Sequence, residues 1–128
     1  MYIDYERIDF VSVWLILSSD RDQLNQKYVY ELIEDWFGII TFNEELLGTI
    51  FCENGIETPV EEVLSKMTSA DQWMPSALHC AKELGVNTCV GAFTILDFAY
   101  APTRIDEETA RKSAFLGAFE CEYTPPWE

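Results

Sequence analysis

The chain has few of the residues that enzymes use at neutral pH. It contains one histidine, His79, and its neighbour Cys80 would point to another side of a helix, so the pair is not expected to form a catalytic dyad. The six glycines are scattered, and there is no phosphate-binding loop, dinucleotide fingerprint or serine nucleophile elbow. We therefore expect no enzymatic activity and no cofactor.

Long hydrophobic runs and closely spaced cysteines are also missing. The longest apolar run, Val13–Leu17, is too short to span a bilayer, and the charged amino terminus does not resemble a secretion signal, so we expect a cytoplasmic protein. The cysteines form no C-x-x-C pair and have no histidine at metal-ligand spacing. We expect four buried free thiols and no metal site: Cys52, Cys80, Cys89 and Cys121.

Positive charge is scarce. Lysine and arginine together number 8 against 23 aspartates and glutamates, which gives a formal net charge of −15. A surface of this kind repels nucleic acid and anionic membranes, whereas it attracts and steers basic proteins. The alternative interpretation is that the surplus of acid only keeps a small protein soluble.

What the sequence does contain is enough apolar material for a core. Hydrophobic residues make up 48% of the 128 residues and aromatic residues 14%, a composition typical of globular proteins. The length is that of one ordinary domain, and no repeat or linker divides it. We expect a single domain over residues 1–128.

The first part of the sequence predicts a strand followed by a long helix. Phe10–Leu17 is apolar on both alternating faces, as a strand in the middle of a sheet should be. Ser18–Asp20 offers N-cap side chains, and apolar residues follow at helical spacing as far as Trp36, with Gly38 suited to a left-handed cap. We expect a helix over residues 20–36.

The next part is ambiguous until a clear helix start appears. Residues 38–57 suggest short strands, with a turn or helical turn at Asn43–Glu45 and a turn at Asn54–Gly55. Thr58–Glu61 has the pattern of a capping box with proline in the first turn. This predicts a short helix over Pro59–Met67.

A second helix follows. Ser69 and Gln72 repeat the capping pattern, Gly85 can close the helix, and Pro75 either kinks it or marks its true first turn. One apolar stripe is expected to face the core: Trp73, Ala77, Ala81 and Leu84.

The last part predicts two strands. Residues 87–100 are rich in β-formers, with Gly91 at a close approach or bulge; Ala101–Lys112 is a polar connector, and Ser113–Tyr123 is a final strand. Its heavier face is expected to hold Phe115, Phe119, Cys121 and Tyr123. The order of elements predicts an α+β domain with helices packed on a small, mostly antiparallel sheet of three to five strands.

Acidic residues are concentrated at the end of the first predicted helix and just after it. Leu32, Ile33 and Trp36 are expected to face the core, which leaves the carboxylates of that helix outward. A charged helix exterior is one interpretation and a binding surface for a basic partner is the other. The candidate contact residues are Glu31, Glu34, Asp35, Glu44 and Glu45, with Asp97 and Tyr100 at the end of the apolar strand as a second group.

The order of segments resembles the immunity protein 22 family of bacterial polymorphic-toxin systems. The segments that carry the resemblance are VSVWLILSS, IEDWFGIITFNEELL, NTCVGAFTILDFAY and FLGAFECEY, which together span Val11–Tyr123. Ala101–Lys112 and the Pro-Pro-Trp tail lie outside the resemblance.

The resemblance implies a cytoplasmic protein of contact-dependent growth inhibition, a monomer that neutralises a cognate secreted toxin domain in a one-to-one complex. Many such toxins are nucleases, whose surfaces are basic because they hold phosphates, so an acidic inhibitor fits them. Two alternatives remain open. One is an acidic secretion chaperone that holds an effector segment, and the other is an enzyme with an acid pair or a cysteine nucleophile.

Overall fold

The computed structural model describes residues 5–17, 24–102 and 105–122, and they form one α+β domain. A four-stranded antiparallel sheet has the strand order β2-β5-β1-β6, and β3 and β4 form a separate two-stranded ladder. In chain order the strands are β1 (Glu6–Ile16), β2 (Leu47–Phe51), β3 (Thr58–Pro59), β4 (Thr88–Cys89), β5 (Gly91–Phe98) and β6 (Ser113–Glu120). The α-helices are α1 (Gln26–Glu31), α2 (Val60–Leu64), α3 (Ala70–Glu83) and α4 (Glu107–Lys112). The predicted fold class is confirmed.

Helices cover both faces of the four-stranded sheet. Val13 of β1 packs in a cluster with α2 and α3, while Trp14 of the same strand packs in a second cluster with α1 and the residues after it. Because successive side chains of a strand point to opposite faces, a central strand between two helical layers must be apolar throughout. This explains the continuous hydrophobic run that predicted β1.

β1 is longer than predicted and is interrupted near its start. Its pairing with β5 is regular from Val11 to Ile16 and breaks between Glu6 and Val11, where Asp9 has a left-handed φ of 67°. Aspartate tolerates this conformation better than most residues, because its short side chain bonds locally. Pairing resumes at Glu6, which lies opposite Phe98, and a cleft lies beside the interrupted stretch.

The first helix is shorter than the predicted 20–36. It begins after Asn25, whose side chain accepts from the Tyr28 backbone N–H, and continues beyond Glu31 as a π-helical segment, Leu32–Trp36. The predicted caps Ser18–Asp20 lie outside the described residues. Gly38 has the predicted left-handed φ, at 69°.

The ambiguous stretch between residues 38 and 57 holds one strand and two tight turns. Glu44–Leu46 forms a 3₁₀ turn directly before β2, which agrees with the helical turn predicted there. The turn predicted at Asn54–Gly55 is also present, since both residues have positive φ.

Both predicted capping boxes are wrong. Thr58 pairs within β3 and its hydroxyl donates to the Ile56 carbonyl, so α2 begins at Val60 without a side-chain cap. Ser69 has a φ of 55° and does not cap α3 with its side chain. Gln72 instead exchanges two hydrogen bonds with the backbone of Glu122, at 3.0 and 2.7 Å. The Thr58 side chain is therefore used by a local turn and the Gln72 side chain by a tertiary contact, and neither takes part in the predicted cap.

α3 contacts the core much as predicted, with one exception. Trp73, Ala77 and Ala81 are buried, whereas Leu84 is exposed after the helix has ended. Pro75 lies on the exposed side in the interior of the helix, not in its first turn.

The last third of the chain differs from prediction in two places. The polar connector contains α4, which the Asp106 side chain caps by accepting from the Thr109 N–H at 2.8 Å. In β6 the pairing with β1 shifts between Gly117 and Phe115, so Phe115 and Phe119 face opposite sides of the sheet instead of sharing one face. Gly91 is a close approach as predicted, because a Cβ there would lie 2.8 Å from the Ile50 carbonyl oxygen.

Candidate functional site

Three predicted contact acids project from α1 and the π-helical segment. Leu32 and Ile33 are fully buried, and the Phe37 N–H bonds to the Leu32 carbonyl at 2.9 Å to close the wide last turn. Because these residues fix the inner side, the three carboxylates are left exposed: Glu31, Glu34 and Asp35. Single π turns inside helices are frequent at functional sites.

Two more predicted acids lie on the 3₁₀ turn before β2. The Asn43 side chain accepts from the Glu45 N–H at 3.0 Å, and Leu46 is buried in the core cluster below α2 and α3. The turn is therefore fixed at both ends and holds Glu44 and Glu45 in solvent.

An aromatic pair joins the helix to the turn. The rings of Tyr30 and Phe42 lie with centroids 6.0 Å apart. Glu34 follows Tyr30 by about one helical turn and Glu44 follows Phe42 by two residues, so acids flank this pair on both elements. The pair brings Phe42, which precedes the acidic turn, next to α1.

An exposed isoleucine lies between the two acidic groups. Ile39 is buried and its neighbour Ile40 is 73% exposed, as expected for alternate residues of an extended segment. Sequence reasoning missed Ile40, although the adjacent isoleucines after Gly38 were the available signal. We call this set the helix–turn surface: Glu31, Glu34, Asp35, Ile40, Glu44 and Glu45.

The helix–turn surface has little compensating charge. Residues 28–65 contain no lysine or arginine, and within the described residues none of its five carboxylates forms an ion pair. Burial raises the pKa of the Tyr28 phenol, and the negative charge of the Glu31 carboxylate raises it further. The nearby cation Lys112 instead lies 4.7 Å from the centre of the Trp36 ring. The surface combines five uncompensated carboxylates with one exposed apolar side chain, that of Ile40.

The two residues of the second predicted group have different surroundings. Asp97 is partly exposed, has a φ of 53°, and accepts from the Asp9 N–H at 3.1 Å. Tyr100 is buried, and its hydroxyl donates to the Phe37 carbonyl at 2.8 Å. Burial raises the pKa of Tyr100 to about 12, with a further contribution from Tyr5. We therefore leave Tyr100 out of the contact surface.

A cleft at the β1 bulge connects Asp97 with the acidic turn. Its volume is about 440 Å³, and its lining includes Asn43, Leu46, Asp97 and Ile8. Ile8 is 78% exposed. The cleft thus extends the helix–turn surface toward the end of β5, with a second exposed isoleucine at its margin.

A further acidic cleft lies on the other side of the bulge. It has a volume of about 570 Å³ and is lined by Asp9, Gln72, Glu120, Cys121 and Glu122, among others. Burial raises the pKa of the Cys121 thiol, a hydrogen bond with Ser69 opposes the rise, and nearby aspartates add to it. Sequence reasoning missed this cleft, because Asp9 is far along the chain from its neighbours there.

The described residues offer little for catalysis. No group of three or more histidine, cysteine, aspartate or glutamate side chains among them could hold a metal ion. His79 is exposed and pairs with Glu83 at 3.0 Å. All four cysteines are free, but only Cys89 and Cys121 are buried, so the expectation of four buried thiols is half wrong. Burial raises the pKa of the Cys89 thiol to about 12, which makes it a poor nucleophile.

Comparison with known proteins does not identify a family. No protein-family model, no curated protein and no solved structure matches the chain. None of the described helices has the length and apolar character needed to cross a membrane.

Proposed function

We propose that the protein is an immunity protein that binds and neutralises a cognate secreted toxin domain, a basic nuclease domain, in a one-to-one complex. The observation that carries the proposal is the helix–turn surface, where five exposed carboxylates without ion pairs among the described residues lie before and after the exposed Ile40 in the chain. Such an arrangement is that of an interface with an apolar anchor and an acidic rim.

The charge and the apolar centre have separate roles in this proposal. The net charge of −15 attracts a cationic domain at long range and increases the association rate. Ile40 and the ring of Phe42 then exclude water, so that nearby carboxylate–arginine pairs form in a less polar environment. The acids occupy the basic surface on which the nuclease would hold phosphate, and the substrate is excluded without any covalent step.

An acidic secretion chaperone is the second candidate. It is favoured by the half-buried, uncharged strand β2 at the sheet edge, along which an extended effector segment could lie. This function usually requires a homodimer that binds an unfolded segment. Light scattering that found a tight dimer, together with binding of an extended peptide but of no folded domain, would favour it.

The decisive experiment uses the toxin domain that the proposal expects at the carboxy terminus of a secreted protein encoded directly upstream, prepared as a catalytically inactive variant. Stopped-flow fluorescence should give an association rate constant that falls by about tenfold or more as salt rises from low to high concentration, since exposed charges are screened beyond about 10 Å at about 0.1 M. Titration of the active domain should end at one equivalent. Failure to form a complex even in dilute buffer would overturn the proposal, and a salt-independent rate would remove its electrostatic part.

A further inference from the structure

One edge of the main sheet is open along the whole length of β2. β2 pairs with β5 on one side, and no described strand pairs with its other side. The Cys52 N–H donates to the Val90 carbonyl at 2.9 Å, directly beyond the Phe51–Gly91 pair. Because bonding to a neighbouring strand alternates along an antiparallel ladder, the backbone groups of Leu47, Thr49 and Phe51 face the open edge.

The edge at β2 lacks the features that usually prevent strand addition. Its pairing with β5 is regular from Leu47 to Phe51, and it contains no charged residue and no proline. The opposite edge strand, β6, has a register shift near Leu116 and a φ of 139° at Gly117. A bulge protects an edge by twisting it away from a flat partner, so β6 is protected and β2 is not.

Acidic residues are placed at both ends of this open edge. Glu44 and Glu45 precede β2, and Glu53 and Glu57 follow it, all of them exposed. Beyond the end of the strand, a cleft of about 340 Å³ is lined by residues that include Ile50, Ile56, Glu62 and Lys66. Ile56 is 62% exposed, so the cleft presents apolar surface to an adjacent strand.

We propose that β2 accepts an extended basic segment of the cationic partner as an additional strand, on the side of β2 that faces away from β5. Main-chain hydrogen bonds to the edge would give affinity, while lysine and arginine at the segment's ends would meet the carboxylates before and after β2. The inference rests on the proposed function for the identity of the partner. A second copy of this chain is disfavoured, because it would bring Glu44 and Glu45 against Glu53 and Glu57.

The test uses a short synthetic peptide of alternating lysine and valine and the intact protein, followed by NMR at low salt. We expect shift changes for Leu47, Thr49 and Phe51 and a severalfold slowing of their amide exchange. A matched peptide, N-methylated at every residue so that neither of its edges can donate a backbone hydrogen bond, keeps the charge but should not slow exchange. Equal effects of both peptides, or no effect of either at saturating concentration, would overturn the inference.

A pair of variants tests the edge in the protein itself. Thr49→Pro removes the backbone N–H that faces the open edge, without removing a bond to β5, and it also removes the threonine hydroxyl. Thr49→Val removes the hydroxyl but keeps the N–H, so it is the matched control. The proline variant should lose peptide-dependent protection and the valine variant should retain it. If the proline variant does not fold, the N-methylated peptide still decides the question. The inference would also be overturned if the protein formed a homodimer in which the outward amides of β2 exchanged slowly without any peptide.

The two proposals fail separately. Edge binding of the peptide without a complex with any upstream toxin domain would support strand addition and contradict the immunity function. A toxin complex in which the amides of β2 exchange as fast as in the free protein would support the immunity function and contradict strand addition.

Discussion

Tyr100 connects the second apolar cluster to the end of the first helix. Its ring contacts Trp14 and Phe115 with centroids 5.7 and 5.0 Å away, and its hydroxyl bonds to the Phe37 carbonyl. Phe37 directly precedes the glycine that ends the segment carrying Glu34 and Asp35. A residue that the sequence indicated as a contact residue thus supports the candidate surface from within the core.

The Tyr100→Phe variant should be less stable by about 1–3 kcal/mol at neutral pH, because it leaves the buried Phe37 carbonyl without its donor. The folded protein holds the phenol proton until a pKa of about 12, whereas the unfolded chain releases it near 10.0. The unfolded state therefore binds fewer protons in this interval, and stability conferred by Tyr100 is complete below pH 10 and lost as pH rises toward 12. Urea unfolding across this range should show a shallower decline for the variant.

Tyr30→Phe is the matched control, since Tyr30 is half-buried on α1 and its ring contacts only Phe42 among the described aromatic pairs. Cys89 also has a pKa raised to about 12, so the Tyr100 variant keeps part of the decline. If the stability of the wild type and of Tyr100→Phe declined in parallel above pH 10, Tyr100 would not be a source of the decline.

At the scale of elements, the helix–turn surface depends on a turn that is held by its backbone. Asn43 accepts from the backbone N–H of Glu45, and Leu46 packs in the core, so neither anchor uses the two carboxylates. Charge on this turn can be reversed without removing a contact that holds the turn in place.

We predict that Glu44→Lys combined with Glu45→Lys slows association with the toxin domain by about tenfold or more in low salt, while the melting temperature does not fall below that of the wild type. The control combines Glu108→Lys with Glu120→Lys, which changes net charge equally at exposed positions of α4 and β6 that form no ion pair among the described residues. Stopped-flow association rates and thermal unfolding of the three proteins would be compared. If both double variants slowed association equally, the rate would depend on net charge alone, and the helix–turn surface would have no specific role.

Local signals predicted the elements with dense periodic patterns and missed the features made by distant residues. β1, β5 and the buried side of α3 are continuous or regular in apolar residues, so their identity is visible in a short window. The outward orientation of Glu31, Glu34 and Asp35 followed from the same periodicity.

The capping boxes failed for a different reason. Thr58 and Gln72 are used by β3 and by the backbone of Glu122, and no local pattern records a partner 50 residues away. The meeting of Asp9 with Asp97 across the bulge depends on strand pairing in the same way. The clefts at the bulge were therefore not predictable from composition or spacing.

At the scale of the whole molecule, the charge opposes folding as well as attracting a partner. A net charge of −15 on 128 residues creates self-repulsion that the folded state feels more strongly than the expanded chain. We predict that the melting temperature rises as sodium chloride is added to dilute buffer, because added ions screen this repulsion. Differential scanning calorimetry at constant pH measures the change.

The control for salt dependence is a variant in which the five acids of the helix–turn surface are replaced by glutamine. Its melting temperature should start higher and respond less to salt, since part of the repulsion is already removed. A melting temperature of the wild type that fell with added salt would mean that attractive ion pairs dominate, contrary to the sparse pairing seen in the structure.

The central position of β1 also affects how the protein can be made. β1 ends at Ile16, but the strands on both sides of it, β5 and β6, end at Phe98 and Glu120. On the ribosome, the hydrophobic stretch Val11–Ile16 therefore lacks both of its native strand partners until β5 has been translated. The four-stranded sheet can therefore be completed only when its last strand, β6, has left the exit tunnel.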